Sequence, residues 1–320
     1  MTTVRAVSDR VFASSREPVA LAPAMTKALH LANAFAPAAT PIVLHGESGG
    51  GKTFFAECMH YLSQRPGGFH AFSVGTVAPQ LVLDELFGHV KGAYTDAHSV
   101  RAGRIAMAGG GTLLLDDLQT ADLGAQKQML QMLDQGTYRP VGSDRVLTVA
   151  CRIIFAMTED PDVLMKQGVL LKDLRCRFGV CAIRIPPLRE RRVEIPLLAK
   201  QALERCPAVT QVEGPSRISA AALTLLRDAE FEGNVRELGA VVEYAYLIAR
   251  AAGADEIGAE HVPPGLCPVL RYQRRGDRET NRLVIERVLS LTGGNVAAAA
   301  RRLGMSRSML NVILRRMRRG

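Results

Sequence analysis

The sequence predicts an α/β domain on a mainly parallel sheet, then a smaller helical subdomain, a linker and a C-terminal pair of short helices. Three observations predict it. Short, mainly apolar runs such as Pro41-Ile42-Val43-Leu44-His45 and Cys151-Arg152-Ile153-Ile154-Phe155-Ala156 alternate with helical periodicity, as strands buried on both faces do. After Pro186-Pro187 the strand signals stop and only helical spacing remains. Beyond about Gly276, two helical runs flank a Gly304 turn.

The chain has 320 residues, more than one core usually serves, with 48% hydrophobic and 22% charged residues. No apolar h-region opens it, and no apolar run is long enough to span a bilayer. The six cysteines form no CxxC pair and have no histidine at ligand spacing, which fits reduced thiols in the cytoplasm. The net charge is +9, unevenly spread. Residues 271–320 hold thirteen arginines, no lysine and three acids, a surplus of ten that leaves the rest of the chain at minus one. A near-neutral body with a basic tail places a nucleic-acid contact at the C-terminus.

In order, residues 1–17 read as an N-terminal arm and Pro18 to Ala36 as a helix. The strand ending at His45 runs into Gly46-Glu47-Ser48-Gly49-Gly50-Gly51-Lys52-Thr53 and then a helix to Leu62. Strand, glycine loop and helix form the context of a phosphate-binding P-loop. Glycines let successive N–H groups point inward, and the helix N-terminus adds positive potential. Lys52 would reach the β- and γ-phosphates of ATP, and the Thr53 hydroxyl would ligate Mg²⁺. Phe69 to Val74 alternates like a strand, and Leu81 to Phe87 has helical spacing. The glycine-bearing loop Gly92-Ala93-Tyr94-Thr95-Asp96-Ala97 offers an aromatic tip for a partner. Thr112-Leu113-Leu114-Leu115-Asp116-Asp117 reads as a strand with an acidic tip, Asp116 acting on the metal and Asp117 on the attacking water. Helices follow at Gln126 to Leu133, Ile195 to Leu203, Ser219 to Asp228 and Val235 to Ala252, with a linker over 253–276. In the tail, Asn295 caps one helix and Ser306 a second that runs through Met317. The predicted domains are 18–190, 191–252 and 277–320.

With these pieces in order, the chain resembles the bacterial enhancer-binding proteins, AAA+ activators of sigma-54 RNA polymerase, from about Pro18 to Gly320. The motifs that carry the resemblance are the P-loop, Glu85-Leu86-Phe87-Gly88-His89, Gly92–Ala97, Gly110-Gly111-Thr112-Leu113-Leu114-Leu115-Asp116-Asp117, Ile185-Pro186-Pro187-Leu188-Arg189-Glu190-Arg191, Gly233-Asn234-Val235-Arg236-Glu237-Leu238 and a Fis-type helix-turn-helix. The resemblance implies an AAA+ P-loop core with a helical lid, assembled as a ring, usually a hexamer. Such a ring binds upstream DNA and spends ATP to remodel the closed promoter complex. Gly92–Ala97 is the counterpart of the GAFTGA loop that contacts sigma-54, and Arg236 matches the lid's sensor arginine. Most relatives carry a sensory domain in front, for which residues 1–17 leave no room, so control is expected from expression level or a separate binding protein.

The departures cluster at the active site. Asp117 stands where the family has Glu, Ser73 where it has the Asn that switches that Glu, and Thr158 where a sensor amide reads the γ-phosphate. Arg177 matches one of two arginines that reach a neighbour's ATP site; Leu171 stands in place of the other, with Lys172 and Arg175 close by. An arginine finger is worth on the order of 10³–10⁵ in rate, so these changes bear on turnover. In the loop, Tyr94 replaces Phe and Asp96 the second Gly; Tyr keeps the ring and Asp tolerates turn geometry.

In the second tail helix, Asn311-Val312-Ile313 replaces the family's Tyr-Arg-Lys. Arg307 and Asn311 are the candidates for base edges, and Arg301, Arg315 and Arg316 for phosphates. Paired units favour half-sites roughly 34 Å apart or a multiple of that. The leading expectation is an ATP-dependent activator of sigma-54 polymerase, working alone or in a mixed ring with a better-equipped subunit. The alternative is a nucleotide-binding, DNA-bound regulator or accessory subunit with little ATPase activity of its own.

Overall fold

The computed structural model describes residues 19–95, 97–179, 181–263, 285, 289, 295–302, 305 and 307–317. It divides into two compact units, one of residues up to Gln201 with Phe231–Leu238, the other of Ala202–Glu230 and everything from Gly239.

The first unit opens with α1 (Pro23–Phe35), β1 (Ile42–His45), α2 (Lys52–Leu62), β2 (Phe69–Ser73) and α3 (Val82–Phe87). Two-residue strands β3 (Gly88–His89) and β4 (Arg101–Ala102) pair antiparallel and frame the surface loop. Then come α4 (Arg104–Met107), β5 (Thr112–Asp116), α5 (Leu123–Gln135) and a second small hairpin, β6 (Thr137–Tyr138) with β7 (Leu147–Thr148). β8 (Arg152–Met157), α6 (Pro161–Lys166), α7 (Lys172–Arg177) and β9 (Ala182–Arg184) complete the α/β core.

The main sheet has the order β2-β5-β8-β1-β9, with every neighbour parallel. β1 and β8 are buried at every residue, which is why they read as runs and not as alternations. Their side chains still divide by period two. Val43, Leu113, Leu115, Ile153 and Phe155 pack with Leu86, Met129 and Met132, while Ile42, Leu44, Leu114, Ile154 and Ala156 pack with Met25, Phe55 and Met59. Burying each such large side chain contributes about 1.5–3 kcal/mol relative to exposure.

Buried polar groups tie helices to the sheet. Arg152, 1% exposed, donates to the carbonyls of Ala36 (2.6 Å) and Phe35 (2.7 Å), satisfying the end of α1. His60 Nδ1 on α2 lies 2.9 Å from Thr112 Oγ1 at the start of β5. Asp122 caps α5 by accepting from the Ala125 amide at 2.7 Å.

α8 (Ile195–Thr210), α9 (Ala220–Asp228) and α10 (Asn234–Ala251) are the predicted helices, and Ser219 caps α9 by accepting from the Ala222 amide at 3.1 Å. In the second unit, Tyr246 is fully buried and its hydroxyl donates to the Val212 carbonyl at 2.6 Å. The stretch expected to be linker is folded at its start: β11 (Glu256–Ile257) pairs parallel with β10 (Arg217–Ile218), and Ile257 and Val262 are buried. Polar composition hides these two apolar anchors. The C-terminal helices are α11 (Val296–Arg302) and α12 (Arg307–Met317), where Ala299, Ala300, Leu310 and Ile285 form a small core. Asn295 caps α11 by accepting from the Ala297 amide at 3.1 Å, as predicted. Ser306 and Gly304 lie outside the described residues.

Candidate functional site

The glycine loop joins β1, an inner strand of the sheet, to the N-terminus of α2. Gly46, Gly49 and Gly51 have φ of 151°, 72° and 102°, which turn the backbone into an inward-facing nest. Gly49 is obligatory twice over, since a Cβ there would also strike the Gly233 carbonyl oxygen. Lys52 is 7% exposed, and its ammonium donates back to the carbonyls of Gly46 (2.7 Å) and Glu47 (3.2 Å). Burial lowers the Lys52 pKa, while Asp116 and Asp117 oppose that shift.

The acidic strand tip meets this loop. Thr53 Oγ1 at the start of α2 lies 3.3 Å from Asp116 Oδ2 at the end of β5. Asp117 ends the strand in a left-handed conformation, φ 57° and ψ 39°. Its Oδ2 accepts from the Ser73 hydroxyl at 3.1 Å and its Oδ1 from the Gln119 amide at 3.3 Å. Thr158 directly follows Met157, whose carbonyl accepts the Gly46 amide at 3.2 Å. The Thr53 hydroxyl and one Asp116 oxygen are hard donors fit for Mg²⁺, which takes one or two protein oxygens and completes its shell with phosphate and water. Among the described residues no group of three or more His, Cys, Asp or Glu is placed to hold a metal by itself.

A short segment after Phe231 grips the loop from outside. Asn234 is fully buried at φ 54°. Its Nδ2 donates to the Ser48 carbonyl (3.0 Å), Glu47 Oε2 (3.2 Å) and the Glu232 carbonyl (3.2 Å), and its Oδ1 accepts from the Leu188 amide (2.7 Å). The next amide, Val235, donates to the Gly49 carbonyl at 3.0 Å. Arg236 donates to Ser48 Oγ at 3.2 Å, so the predicted sensor arginine stands at the loop. Arg189 holds Glu47 by two bonds of 2.7 and 2.6 Å, and the Arg189 contact lowers the Glu47 pKa. Below them Arg191 donates to the Gly50 carbonyl at 2.6 Å and lies 3.4 Å from the buried Glu194. Glu194 in turn accepts from the amides of Leu21 (2.9 Å) and Ala22 (3.0 Å) at the head of α1.

Other predicted residues lie elsewhere. Arg177 sits on α7, exposed, with its Nε 3.1 Å from Asp134 and its Nη2 donating to the Leu133 carbonyl at 2.8 Å. At the surface loop, the Gly92 amide donates to the Ala97 carbonyl at 2.8 Å and the Ala97 amide to the Tyr94 carbonyl at 3.0 Å. Tyr94 is 43% exposed, its ring edge-on to His89 at 5.2 Å and its hydroxyl 3.4 Å from His89 Nδ1. Asp84 Oδ1 fixes His89 at 2.7 Å. Ala93 and Thr95 are in this turn; Asp96 lies outside the described residues. On α12, Arg307 and Asn311 are exposed one turn apart while Leu310 is buried. Arg301, Arg315 and Arg316 lie within the two helices.

Comparison with known proteins bears directly on this arrangement. The sigma-54 interaction domain matches residues 19–184, more than half of the chain. The chain belongs to the sigma-54 activator family. The AAA+ ATPase lid domain matches residues 189–277, and the bacterial regulatory protein Fis family matches 278–318. The transcriptional regulatory protein GlrR of Escherichia coli is 34% identical over 305 residues, 93% of this chain and 67% of GlrR. The regulator NtrC of Azospirillum brasilense is 33% identical over 312 residues, and this chain spans 64% of its length. The Nif-specific regulatory protein of Sinorhizobium fredii is 37% identical over 231 residues, 72% of this chain and 39% of that protein. Among solved structures, NtrX from Brucella abortus in complex with ATP superposes with a TM-score of 0.69 at 26% identity, covering 98% of this chain and 72% of NtrX.

In this member of the sigma-54 activator family, Arg189, Arg191 and Asn234 stand within recognisable motifs that give them no role by themselves. Their partners lie more than 140 positions away, at Glu47, Gly50 and Ser48. Gln119 and Asp134 carry no signal in the sequence, and Glu194 only its place three residues after Arg191, the spacing of a pair.

Proposed function

We propose that the chain binds Mg·ATP at Gly46–Thr53, hydrolyses it in a ring of subunits, and uses the cycle to activate sigma-54 polymerase from upstream DNA. The observation that carries this reading is the convergence of Thr53 on Asp116 at 3.3 Å beside the glycine nest, with Asp117 next in line. Lys52 would leave the Gly46 and Glu47 carbonyls for the β- and γ-phosphates, and Arg236 would join it. Thr53 and Asp116 would hold Mg²⁺, which neutralises charge developing on the phosphates. Asp117 would take a proton from the attacking water as the bond to the γ-phosphorus forms and the β–γ bridge breaks. Thr158, next in sequence to the Met157 carbonyl that accepts the Gly46 amide, would serve as the sensor. Arg177 would serve the neighbouring subunit's site, the Gly92–Ala97 turn would meet sigma-54, and α12 would present Arg307 and Asn311 to base edges.

Phosphate release by the purified chain tests this. Lys52→Ala should abolish release; a rate equal to that of Lys52→Ala in the unsubstituted chain overturns it.

One pair of observations favours a second reading, a nucleotide-bound accessory subunit with little turnover of its own. Asp117 is short by one methylene, and Arg177 is held by Asp134. A mixed ring with a better-equipped relative would then supply the missing groups. Release that rises more than additively on mixing supports the mixed ring.

A further inference from the structure

The turn that follows β5 starts at Asp117 and is closed on its backbone carbonyl. The Thr120 amide donates to the Asp117 carbonyl at 2.9 Å and the Thr120 hydroxyl to the same oxygen at 2.7 Å, closing a single 3₁₀ turn over Leu118–Thr120. A matching turn over Val74–Thr76 leaves β2, where the Thr76 hydroxyl donates to the Ser73 carbonyl at 2.7 Å. The two turns lie side by side, since a Cβ on Gly75 would come within 3.4 Å of Thr120 and 3.7 Å of Asp117 Cβ. Ser73 thus reaches one carboxylate oxygen from β2, and Gln119 reaches the other from within the Asp117 turn.

Gln119 is oriented by that carboxylate. Its Nε2 faces Asp117 Oδ1 at 3.3 Å, and its Oε1 is buried with no hydrogen-bond partner among the described residues. An orphaned buried acceptor costs free energy. The flipped amide would instead set a carbonyl oxygen against a carboxylate, and the charge-assisted bond decides between the two. Asp117 is also a non-glycine residue in the left-handed region, a conformation that persists where its surroundings over-determine it. A carboxylate offers about four acceptor sites and these two donors use one on each oxygen. Each oxygen therefore keeps a lone pair for a water.

We propose that Gln119 is a positioning residue for ATP hydrolysis, its amide and the Ser73 hydroxyl forming a two-sided clamp that aims the short Asp117 carboxylate at the attacking water. The inference rests on the ATPase reading above. Aspartate swings through fewer torsions than glutamate, so a carboxylate clamped on both oxygens holds its aim, and misplacement by about 1 Å costs on the order of 10²-fold in rate. Gln119 touches neither phosphate nor metal ligand in this scheme, so its loss acts on turnover and not on nucleotide affinity.

The test measures kcat and KM for ATP in the full chain, with binding of a non-hydrolysable ATP analogue as a second readout. Gln119→Leu should lower kcat roughly 10- to 100-fold with KM and analogue affinity unchanged. Gln119→Glu, isosteric but without the donor, should lose as much, which guards against a packing defect in the leucine variant. In an Asp117→Glu chain, whose carboxylate lies one methylene further out, Gln119→Leu should change kcat less than about twofold, because the clamp no longer meets its target. An unchanged kcat in both single variants, or an equal loss in the Asp117→Glu chain, overturns the inference alone. No phosphate release by the unsubstituted chain, alone or mixed with a relative, overturns the ATPase reading and this inference with it.

Discussion

Arg177 and Asp134 are joined within one chain, Nε to Oδ1 at 3.1 Å, and the same guanidinium donates to the Leu133 carbonyl at the end of α5. A group expected to serve a neighbouring site is thereby occupied at home. Both side chains are about half exposed, and such pairs contribute about 0–1 kcal/mol. The tether is weak enough to be traded for a phosphate.

Asp134→Asn should therefore raise phosphate release at limiting subunit concentration by up to about fivefold, the rate equivalent of that energy. Arg177→Ala should lower it by on the order of 10³. A concentration series of release rates checks both, and a slower Asp134→Asn enzyme would assign the pair to catalysis instead of storage.

Glu194 is fully buried between Arg191 and the amides of Leu21 and Ala22. Glu194→Ala leaves the Arg191 charge uncompensated and those amides orphaned, a loss of about 3–5 kcal/mol. Urea unfolding followed by circular dichroism should show the shifted midpoint. Since Arg191 also holds the Gly50 carbonyl, analogue binding should weaken in the same variant.

Tyr94 offers a separable test. Tyr94→Phe keeps the ring against His89 and removes the 3.4 Å hydroxyl contact, so transcription from a sigma-54 promoter should be retained or increased. Tyr94→Ala should abolish it while ATP hydrolysis continues, because aromatic anchors dominate contact energies. Parallel transcription and phosphate-release assays distinguish the two.

Burial holds His60 below its ordinary pKa of 6.5, next to the Thr112 hydroxyl. Above 6.5 the ring is neutral whether folded or unfolded and pH has no leverage. Below 6.5 the unfolded chain takes up the proton first, so stability falls as pH falls toward the depressed folded value. Urea midpoints between about pH 7.5 and 5.5 should decline, and His60→Gln should flatten part of the slope. His45, also lowered by burial, accounts for some of the remainder.

On α12, Arg307→Ala should reduce specific DNA binding by about 1–3 kcal/mol more than non-specific binding if the guanidinium reads a base edge. Gel-shift titrations against a cognate and a random duplex at fixed salt measure the difference. Equal losses would move Arg307 to the phosphates.

The parallel sheet and the glycine loop were legible because their signals are local. β1 and β8 are unbroken buried runs, and Gly46–Thr53 is contiguous between a strand and a helix. Thr53 meeting Asp116 followed from the order of motifs, since the loop that leaves β1 for α2 and the tip of β5 both lie at the C-terminal edge of one parallel sheet. The grip of Asn234 on Ser48 did not follow, because residues 186 positions apart announce no contact in a single sequence. The short strand at Glu256–Ile257 was hidden by its polar neighbours, and the Gln119 amide by its ordinary position in a turn.

Gly49 and Gly233 press together so closely that a methyl group on the first would collide with the carbonyl of the second. The two positions behave as one lock divided between distant parts of the gene. A chimera cut between residues 190 and 231, joining this glycine-loop half to a foreign continuation, would inherit the keyhole without its key. Module boundaries for domain exchange in this chain belong after Leu238.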